Sequence, residues 1–368
     1  MKRVLFLTNI PAPYRVSFFD ELGKFLEVTV LLTDSPAQHS TRDARWFSES
    51  RGGHTQIQLN KVLLRLGGEN LCTDVLDWLT KPWDAIVVSG YSSPTAMLAM
   101  AYLRLRGIPF YMEVDGGLIR EESGMKYRFK KMLVSAADRW ISSGSYTTQY
   151  LTHYGAREED TFFYPFSSLK EGDILPRPVS AEEKAALRRD LGMGEGPVIL
   201  SVGQFIPRKG FDVLLRAAAL LGPEPSVYIV GGEPTEEYQT LKEKLGLRNV
   251  KFVGFLKKEQ LAKYYQAADL FVRPTREDIW GLVINEAMAY GLPVVTTDRC
   301  VAGLELVENG ITGYLVPMDD PEALAEAIQA VFRGNPAAMG AAALEKVRPY
   351  TIENMAKAHV EIFDQQES

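Results

Sequence analysis

The sequence predicts an α/β fold with two doubly wound, parallel-sheet domains that face a cleft. Short apolar, β-branched runs alternate with longer helical patterns in the first half, and the alternation restarts after a polar, proline-containing stretch at 168–178. Such alternation is typical of parallel sheets covered by helices. At 368 residues, the chain is long enough for two domains that each bury a core.

The predicted strands are continuous apolar runs, as expected for strands buried on both faces. In the first half they cover 4–7, 28–32, 85–88, 110–113 and 140–142, with a helix at 16–25. In the second half they cover 198–202, 227–230, 250–253, 270–272 and 294–297. We therefore expect domains at 1–172 and 178–350, and a C-terminal helix at 352–368 whose apolar face can pack back on the first.

Composition and charge exclude several classes of protein. Apolar residues make up 46% and charged residues 24%, which is typical of a globular chain. The net charge of −6 argues against a nucleic-acid partner. Cys72 and Cys300 form no CxxC pattern, so no disulfide framework or zinc site is indicated. The cysteine pattern leads us to expect a reducing cytoplasmic location. Residues 1–15 hold only a short apolar run, so we expect no signal peptide.

The segment 276–297 sets acids around a helix start, at the carboxyl end of a predicted strand. Ligands of open parallel sheets bind at such ends. Asp278 precedes the helix and is expected to face a sugar, whereas Glu286, inside the helix, is suited to accept hydrogen bonds from a ribose diol. Three residues at the helix start offer free amides to a phosphate: Gly281, Leu282 and Val283.

Two other strand ends carry glycines or cations. Gly203 follows the strand at 198–202 and leads to Arg208 and Lys209, which can neutralise a diphosphate. Gly231 and Gly232 follow the next strand and allow a base or ribose to lie against the backbone. Taken alone, these segments are more often a solvated basic turn and an ordinary tight turn. Together with the acids, they predict a site for ribose, diphosphate and sugar.

In this order, the motifs VGQFIPRKG, IVGGEP, EDIWGLVINEAMAYGLPVV and NGITGYLVP resemble the C-terminal domain of retaining glycosyltransferases of family 4, which have the GT-B fold. The resemblance covers nearly all of 197–317. It implies a nucleotide-sugar donor bound by the second domain, a glycan or lipid-linked acceptor bound by the first, and no required metal or cofactor. The chain has no Asp-x-Asp motif, and its four histidines are scattered: His39, His54, His153 and His359.

The resemblance also implies roles for single residues. The family has a glutamate pair where this chain has Asp278 and Glu286, so either Asp278 or Glu277 is expected to face the sugar. Gln204 replaces a common arginine, and Arg208 can supply the missing charge. The expected catalytic residues of the second domain are Lys209, Arg208, Asp278 and Glu277. Its further donor-binding residues are Gly203, Gln204, Gly231, Gly232, Phe255, Gly281, Leu282, Val283 and Glu286.

The first domain offers a stiff polar loop at 8–15. It lacks the glycines of a dinucleotide fingerprint, which argues against a dehydrogenase. Similar openings occur in polysaccharide-assembly members of the family, where the loop lies against the diphosphate and the acceptor; a rigid connector is the alternative. The expected contacts are Asn9, Pro13, Tyr14, Arg15 and Gly116. Glu113 or Asp115, near the place of a histidine in many relatives, is expected to orient the acceptor hydroxyl.

The stretch 126–133 combines basic and apolar residues at helical spacing. It fits either a peripheral contact with the inner face of a membrane or an ordinary helix with a solvated basic face.

The motifs of both domains and the family resemblance together predict a metal-independent retaining hexosyltransferase that uses a nucleotide sugar, with UDP favoured, in cell-surface polysaccharide or glycolipid biosynthesis. A nucleotide-sugar epimerase of the same fold and a non-catalytic nucleotide-sugar-binding protein are the alternatives.

Overall fold

A computed structural model describes residues 1–34 and 52–365 of the chain. It divides into two compact units, the first comprising Met1–Ser168 and Tyr350–Ser368 and the second Leu169–Pro349. Each unit is built on a parallel sheet with helices around it. The prediction of two parallel-sheet α/β domains is therefore confirmed. His39 lies outside the described residues.

The first unit holds a seven-stranded parallel sheet and a separate antiparallel hairpin, as far as residues 1–34 and 52–168 show. Its strands are β1 (Arg3–Thr8), β2 (Glu27–Leu32), β3 (Thr55–Gln58), β4 (Val62–Leu66), β5 (Glu69–Cys72), β6 (Ala85–Ser89), β7 (Tyr111–Val114), β8 (Arg139–Ser142) and β9 (Thr161–Phe163). The sheet order is β3-β2-β1-β6-β7-β8-β9, and β4 pairs with β5. Its helices before the domain boundary are α1 (Pro13–Leu22), α2 (Val75–Leu79), α3 (Pro94–Arg106), α4 (Gly124–Val134) and α5 (Ser145–His153).

The second unit holds a six-stranded parallel sheet of order β12-β11-β10-β13-β14-β15. Its strands are β10 (Val198–Val202), β11 (Ser226–Val230), β12 (Val250–Val253), β13 (Leu270–Arg273), β14 (Val294–Thr297) and β15 (Gly313–Val316). Its helices are α6 (Ala181–Asp190), α7 (Phe211–Leu221), α8 (Glu236–Lys244), α9 (Lys258–Ala267), α10 (Leu282–Ala289), α11 (Val301–Leu306), α12 (Pro321–Arg333) and α13 (Pro336–Val347).

The last helix, α14 (Ile352–Asp364), packs against α1 in the first unit, and its His359 and Phe363 rings contact Phe6 of β1. Thr351 caps its first turn by accepting a hydrogen bond from the Asn354 amide at 3.2 Å, as Thr does at many helix starts. At the other end, Lys2 Nζ donates to the Phe363 carbonyl at 3.0 Å. The first domain is therefore built from both ends of the chain.

Two parts of the sequence prediction are wrong in detail. Helix α1 begins at Pro13 and ends at Leu22, so residues 13–15 are helical and not part of a loop. Proline is tolerated there because the first helical residue has no intrahelical partner for its N–H. Strands β3, β4, β5, β9 and β15 were not predicted, because they do not present continuous buried apolar runs; β4 is exposed at every residue, and β9 has no buried residue. No helix in the described part of the chain is both long and apolar enough to span a membrane.

Candidate functional site

A buried cluster of one acid and two cations lies at the carboxyl ends of β10 and β13. Lys209 ends a short turn after β10, Arg273 ends β13, and Asp278 lies in the loop that follows. Lys209 Nζ and Arg273 Nη2 each donate to Asp278 Oδ2 at 2.8 Å. Asp278 is only 8% exposed. Its carboxylate therefore faces these two cations, whereas the sequence led us to expect that it faces a sugar.

The charges in this cluster are not matched one to one. Burial by itself would raise the pKa of Asp278, but Arg273 and Lys209 lower it to about 2. Burial, together with repulsion from Arg273, lowers the pKa of Lys209 to about 8, against the attraction of Asp278. Both pKa values decrease: the acid is attracted by the cations around it, while the ammonium has one acid partner and is repelled by the guanidinium groups of Arg273 and Arg208. Sequence reasoning missed Arg273, although an arginine at the end of an apolar strand was a visible signal.

The loops after β10 and β13 are held together by hydrogen bonds to backbone oxygens. Arg208 Nη1 donates to the Glu277 carbonyl at 2.9 Å and lies 3.6 Å from Asp278 Oδ1. Thr275 Oγ1 and the Arg276 amide both donate to the Arg208 carbonyl at 2.9 Å. The side chain of Arg208 remains 46% exposed. The buried cluster therefore has one solvent-accessible cation beside it.

Helix α10 begins directly after this cluster. Gly281 precedes it with a φ of 104°, a conformation that favours glycine. A Cβ at this position would lie 2.6 Å from Cys300 Sγ, so the turn has no room for a side chain. Leu282 and Val283 form the half-buried first turn. Amides at a helix start carry partial positive charge, so this end adds to the positive character of the cluster.

Glu286 lies one turn inside α10 and is half-buried. Tyr265 donates its hydroxyl to Glu286 Oε2 at 3.1 Å, and its ring stacks on Tyr290 with centroids 5.2 Å apart and planes at 6°. Burial and the Glu286 charge raise the pKa of Tyr265 well above its ordinary value. The phenol therefore stays a donor and fixes the orientation of the carboxylate.

The glycines of this domain differ in what they approach. A Cβ on Gly203 would lie 2.4 Å from Arg273 Nη1, and one on Gly231 would lie 1.9 Å from the Gly203 carbonyl oxygen. We expected these glycines to let a ligand lie close to the backbone. At Gly203 and Gly231, however, the space that a side chain would fill is taken by other atoms of the protein. Gly232 faces open space. Gln204 and Phe255 are both exposed.

A second buried cluster occupies the first unit. The Arg15 guanidinium donates from Nη1 to Glu113 Oε1 at 3.0 Å and from Nη2 to Ser89 Oγ at 2.7 Å and to Glu113 Oε2. His359 Nε2 lies 3.3 Å from Glu113 Oε1. Burial would raise the pKa of Glu113, but Arg15 and His359 hold it well below its ordinary value. Glu113 and Arg15, expected near the acceptor, are therefore enclosed in the core.

Asp115 lies just beyond this cluster, after β7. Tyr164 donates its hydroxyl to Asp115 Oδ1 at 2.7 Å, and Arg15 Nη1 lies 3.7 Å from the same oxygen. The side chain is 26% exposed. Burial and the Glu113 charge raise the pKa of Asp115, against the pull of Arg15. Of the two acids expected to orient an acceptor hydroxyl, Asp115 is the accessible one.

The remaining expected contacts of the first unit lie at the same sheet edge. Asn9 is exposed, and its Oδ1 accepts from the Ile10 amide at 2.8 Å. Pro13 and Tyr14 are half-buried in the first turn of α1, with the Tyr14 ring edge-on to Phe166. Gly116 is half-buried as well. Their roles toward a ligand stay predictions.

In residues 1–34 and 52–365, no group of three or more His, Cys, Asp or Glu side chains could hold a metal ion.

Residues 183–346 match the family described as glycosyl transferases group 1. The matched stretch lies within the second unit. The family resemblance predicted from the sequence is thereby confirmed for the part of the chain that carries the buried Lys209 cluster and α10.

Curated relatives extend the likeness beyond the group 1 domain. The D-inositol 3-phosphate glycosyltransferase of Geodermatophilus obscurus is 35% identical over 219 residues, which cover 55% of this chain and 47% of that protein. The protein of the same name from Streptomyces scabiei is 34% identical over 250 residues, covering 63% and 54%. The chain thus spans about half of the length of these relatives.

Solved glycosyltransferase structures share the fold along the whole chain. Sucrose-phosphate synthase from Thermosynechococcus elongatus superposes with a TM-score of 0.76 at 22% identity, over 100% of this chain and 99% of that one. HepE from Anabaena, in complex with UDP and glucose, gives 0.73 at 20% identity over 99% and 100%. The group 1 domain and its partner domain together therefore form the GT-B fold.

Proposed function

We propose that the protein is a retaining glycosyltransferase that moves a hexose from a UDP-sugar to a glycan or lipid-linked acceptor, without a metal or cofactor, in cell-surface polysaccharide or glycolipid biosynthesis. The observation that carries this proposal is the cluster of Lys209, Asp278 and Arg273 beside the start of α10, in a domain of the group 1 family. The UDP bound in the HepE structure supports the choice of nucleotide. A cytoplasmic location is part of the proposal.

The second unit has the groups that a departing nucleoside diphosphate requires. Its leaving oxygens gain negative charge in the transition state, and fixed positive groups stabilise that charge. Lys209, Arg208 and the amides at the start of α10 supply such groups. The leaving phosphate accepts the proton of the acceptor hydroxyl as the new glycosidic bond forms on the same face of the sugar, so no separate protein base is required.

The acids of the second unit then divide into two roles. Asp278 is a positioning residue, because its carboxylate holds Lys209 and Arg273 in place and is itself enclosed. Glu286, oriented by Tyr265, is available to a ribose diol. Glu277 lies next to Asp278 and is half-buried; it is our candidate for the contact with the sugar. In the first unit, Asp115 is our candidate for orienting the acceptor.

A panel of nucleotide sugars tests this function through thermal stabilisation of the purified protein. A ligand at about 100 times its dissociation constant adds about 2.7 kcal/mol to the free energy of unfolding. We expect UDP-sugars to stabilise and to be hydrolysed slowly. Stabilisation without transfer or hydrolysis would identify a binding protein, and isomerisation of the donor would identify an epimerase. Lys209→Ala should nearly abolish sugar transfer, because it removes a cation from the leaving diphosphate. Lys263→Ala, which replaces an exposed lysine on α9, is the matched control and should leave transfer unchanged.

A further inference from the structure

We propose that Arg276 is a positioning residue for the proposed transfer reaction: it holds the loop that carries Lys209, so that the lysine ammonium meets the leaving diphosphate. Arg276 lies between β13 and α10, outside the buried cluster of Lys209, Asp278 and Arg273. The proposal deepens the proposed function, on which its statement about the diphosphate rests.

The Arg276 guanidinium joins three loops at the carboxyl edge of the second sheet. Its Nη1 and Nη2 donate to Asp212 Oδ1 at 2.9 Å and to Asp212 Oδ2 at 2.7 Å, the paired geometry in which arginine binds a carboxylate. Its Nε donates to Asp319 Oδ1 at 2.6 Å. Asp212 is in the first turn of α7, after β10, and Asp319 lies between β15 and α12. One side chain therefore connects the loops that follow β10, β13 and β15.

Arg276 also holds the backbone directly before Lys209. Its Nη1 donates to the Pro207 carbonyl at 2.5 Å, and its amide donates to the Arg208 carbonyl at 2.9 Å. Four of the five N–H groups of the guanidinium are thus used by acceptors within the protein. Arg276 therefore acts on the donor through the loop and not by direct contact.

The backbone directly after Lys209 is held by packing. Gly210 has a φ of 68°, and a Cβ at this position would lie 1.8 Å from the carbonyl oxygen of Pro274, two residues before Arg276. The loop after β13 therefore contacts the chain on both sides of Lys209. Misplacement of a catalytic group by 1 Å can cost about 100-fold in rate, so this double contact bears on the reaction.

Asp319 adopts an uncommon backbone conformation where it meets Arg276. Its φ is 59°, and it is the one residue other than glycine with a positive φ in residues 1–34 and 52–365. Aspartate tolerates this region better than most residues do, but at a cost in energy. Such conformations persist where the surrounding structure holds them, and they cluster at ligand sites. The strained turn at Asp319 is thus a second sign, independent of the hydrogen bonds, that this edge is built to position a group.

The first test measures the freedom of Lys209 and needs no donor. The full chain is labelled by a pulse of acetic anhydride and analysed by mass spectrometry. Lys209 should react slowly in the wild type, because it is buried. Arg276→Ala should raise its rate at least ~10-fold, by local opening of the loop, relative to the exposed Lys263 of the same molecule. Arg276→Lys, which keeps the charge but not the paired geometry, should raise it less.

The second test measures turnover with the panel of UDP-sugars. Arg276→Ala should lower kcat roughly 10-fold to 100-fold and change KM less, because Lys209 acts mainly on charge that develops in the transition state. In a Lys209→Ala background, the same substitution should lower the residual turnover little, because the group that Arg276 positions is already gone.

The matched control is Arg177→Ala in the same unit. Arg177 donates to both carboxylate oxygens of Glu183 at 2.9 Å and to the Pro178 carbonyl at 3.1 Å, so the control loses a similar set of bonds. It lies toward the amino edge of the sheet, because Pro178 packs against Gly291, just before β14. Acetylation of Lys209 and turnover should both stay as in the wild type.

Acetylation of Lys209 in Arg276→Ala that is as slow as in the control would overturn the proposal. If acetylation rises at every lysine, the variant is unfolded, and the same comparison is made with Arg276→Lys. A loss of turnover that is equally large in the Lys209→Ala background would also overturn the proposal, because Arg276 would then act independently of Lys209. A wild type that releases no UDP from any donor, together with faster acetylation in Arg276→Ala, would count against the proposed function alone.

Discussion

Asp278→Asn removes one negative charge from the centre of the buried cluster and keeps nearly the same shape. In the wild type, the carboxylate accepts hydrogen bonds at 2.8 Å from both Lys209 and Arg273. In the variant, two neighbouring cations stay buried without an acid between them. We expect a large loss of stability in the second unit and a further decrease in the pKa of Lys209.

The size of the loss follows from the pKa of Asp278. That pKa is about 2 in the folded protein, against about 3.9 in an unfolded chain. At 1.36 kcal/mol per unit, the difference is worth roughly 2–3 kcal/mol at neutral pH. Removal of one partner from a buried ion pair costs about 3–5 kcal/mol, and the amide retains one acceptor oxygen, so we expect about 3 kcal/mol. For a domain of this size, that corresponds to a decrease in Tm of roughly 6–12 °C.

Calorimetry at neutral pH measures the decrease, and hydrogen exchange in α10 assigns it to the second unit. Asp298→Asn, an acid that is 53% exposed, is the matched control and should change Tm little. The folded pKa of Asp278 is depressed, so its contribution is present above about pH 4 and is lost as pH falls toward about 2. The difference between wild type and variant should therefore shrink in acid. An Asp278→Asn variant as stable as the Asp298→Asn control would refute the charge argument.

Three further predictions concern the proposed transfer reaction and the first unit. Sugar transfer should decrease as pH rises through about 8, because Lys209 loses its charge. Lys209→Arg should remove this decrease, and a variant whose pH–rate profile matches that of the wild type would contradict the prediction. Glu286→Ala should lower transfer about 100-fold or more, whereas Tyr265→Phe should mainly raise KM for the donor; steady-state kinetics distinguish them, and normal turnover in Glu286→Ala would reject its assignment. Glu113→Ala should lower the free energy of unfolding of the first unit by about 3–5 kcal/mol, whereas Asp115→Asn should lower it less and leave the unit folded. Chemical denaturation measures both losses, and a larger loss in Asp115→Asn would contradict the prediction.

The strands that place the site could be predicted from the sequence because they are continuous apolar runs. Strand β10 agrees with its predicted bounds, and helix α14 begins at the predicted residue 352 and ends at Asp364, four residues before the predicted end; each has a strong pattern of its own. The hairpin strand β4 has no such pattern, because each of its five residues is exposed. It forms a strand because it pairs with β5, and the spacing of apolar residues in a sequence does not reveal such pairing.

The site itself was predicted by residue type and not by orientation. Lys209 and Asp278 were visible as charged residues after strand ends, and Glu286 as an acid inside a helix, but Asp278 turns toward Arg273, which lies five residues away and just after the predicted strand at 270–272. Arg15 likewise points to Glu113, ninety-eight positions along the chain. Such pairs are set by tertiary packing, and a single sequence does not show which of several cations an acid will meet.

The return of α14 to the first unit has a consequence for synthesis of the chain on the ribosome. His359, on α14, contacts Glu113 and packs against Phe18 with ring centroids 4.7 Å apart. The hydrophobic core of the first unit therefore lacks α14 until Leu169–Pro349 and then α14 itself have been translated. The second unit is continuous in sequence and can fold earlier. During that interval, the apolar faces of β1 and α1 are open to water, and a nascent chain has its greatest need of a chaperone.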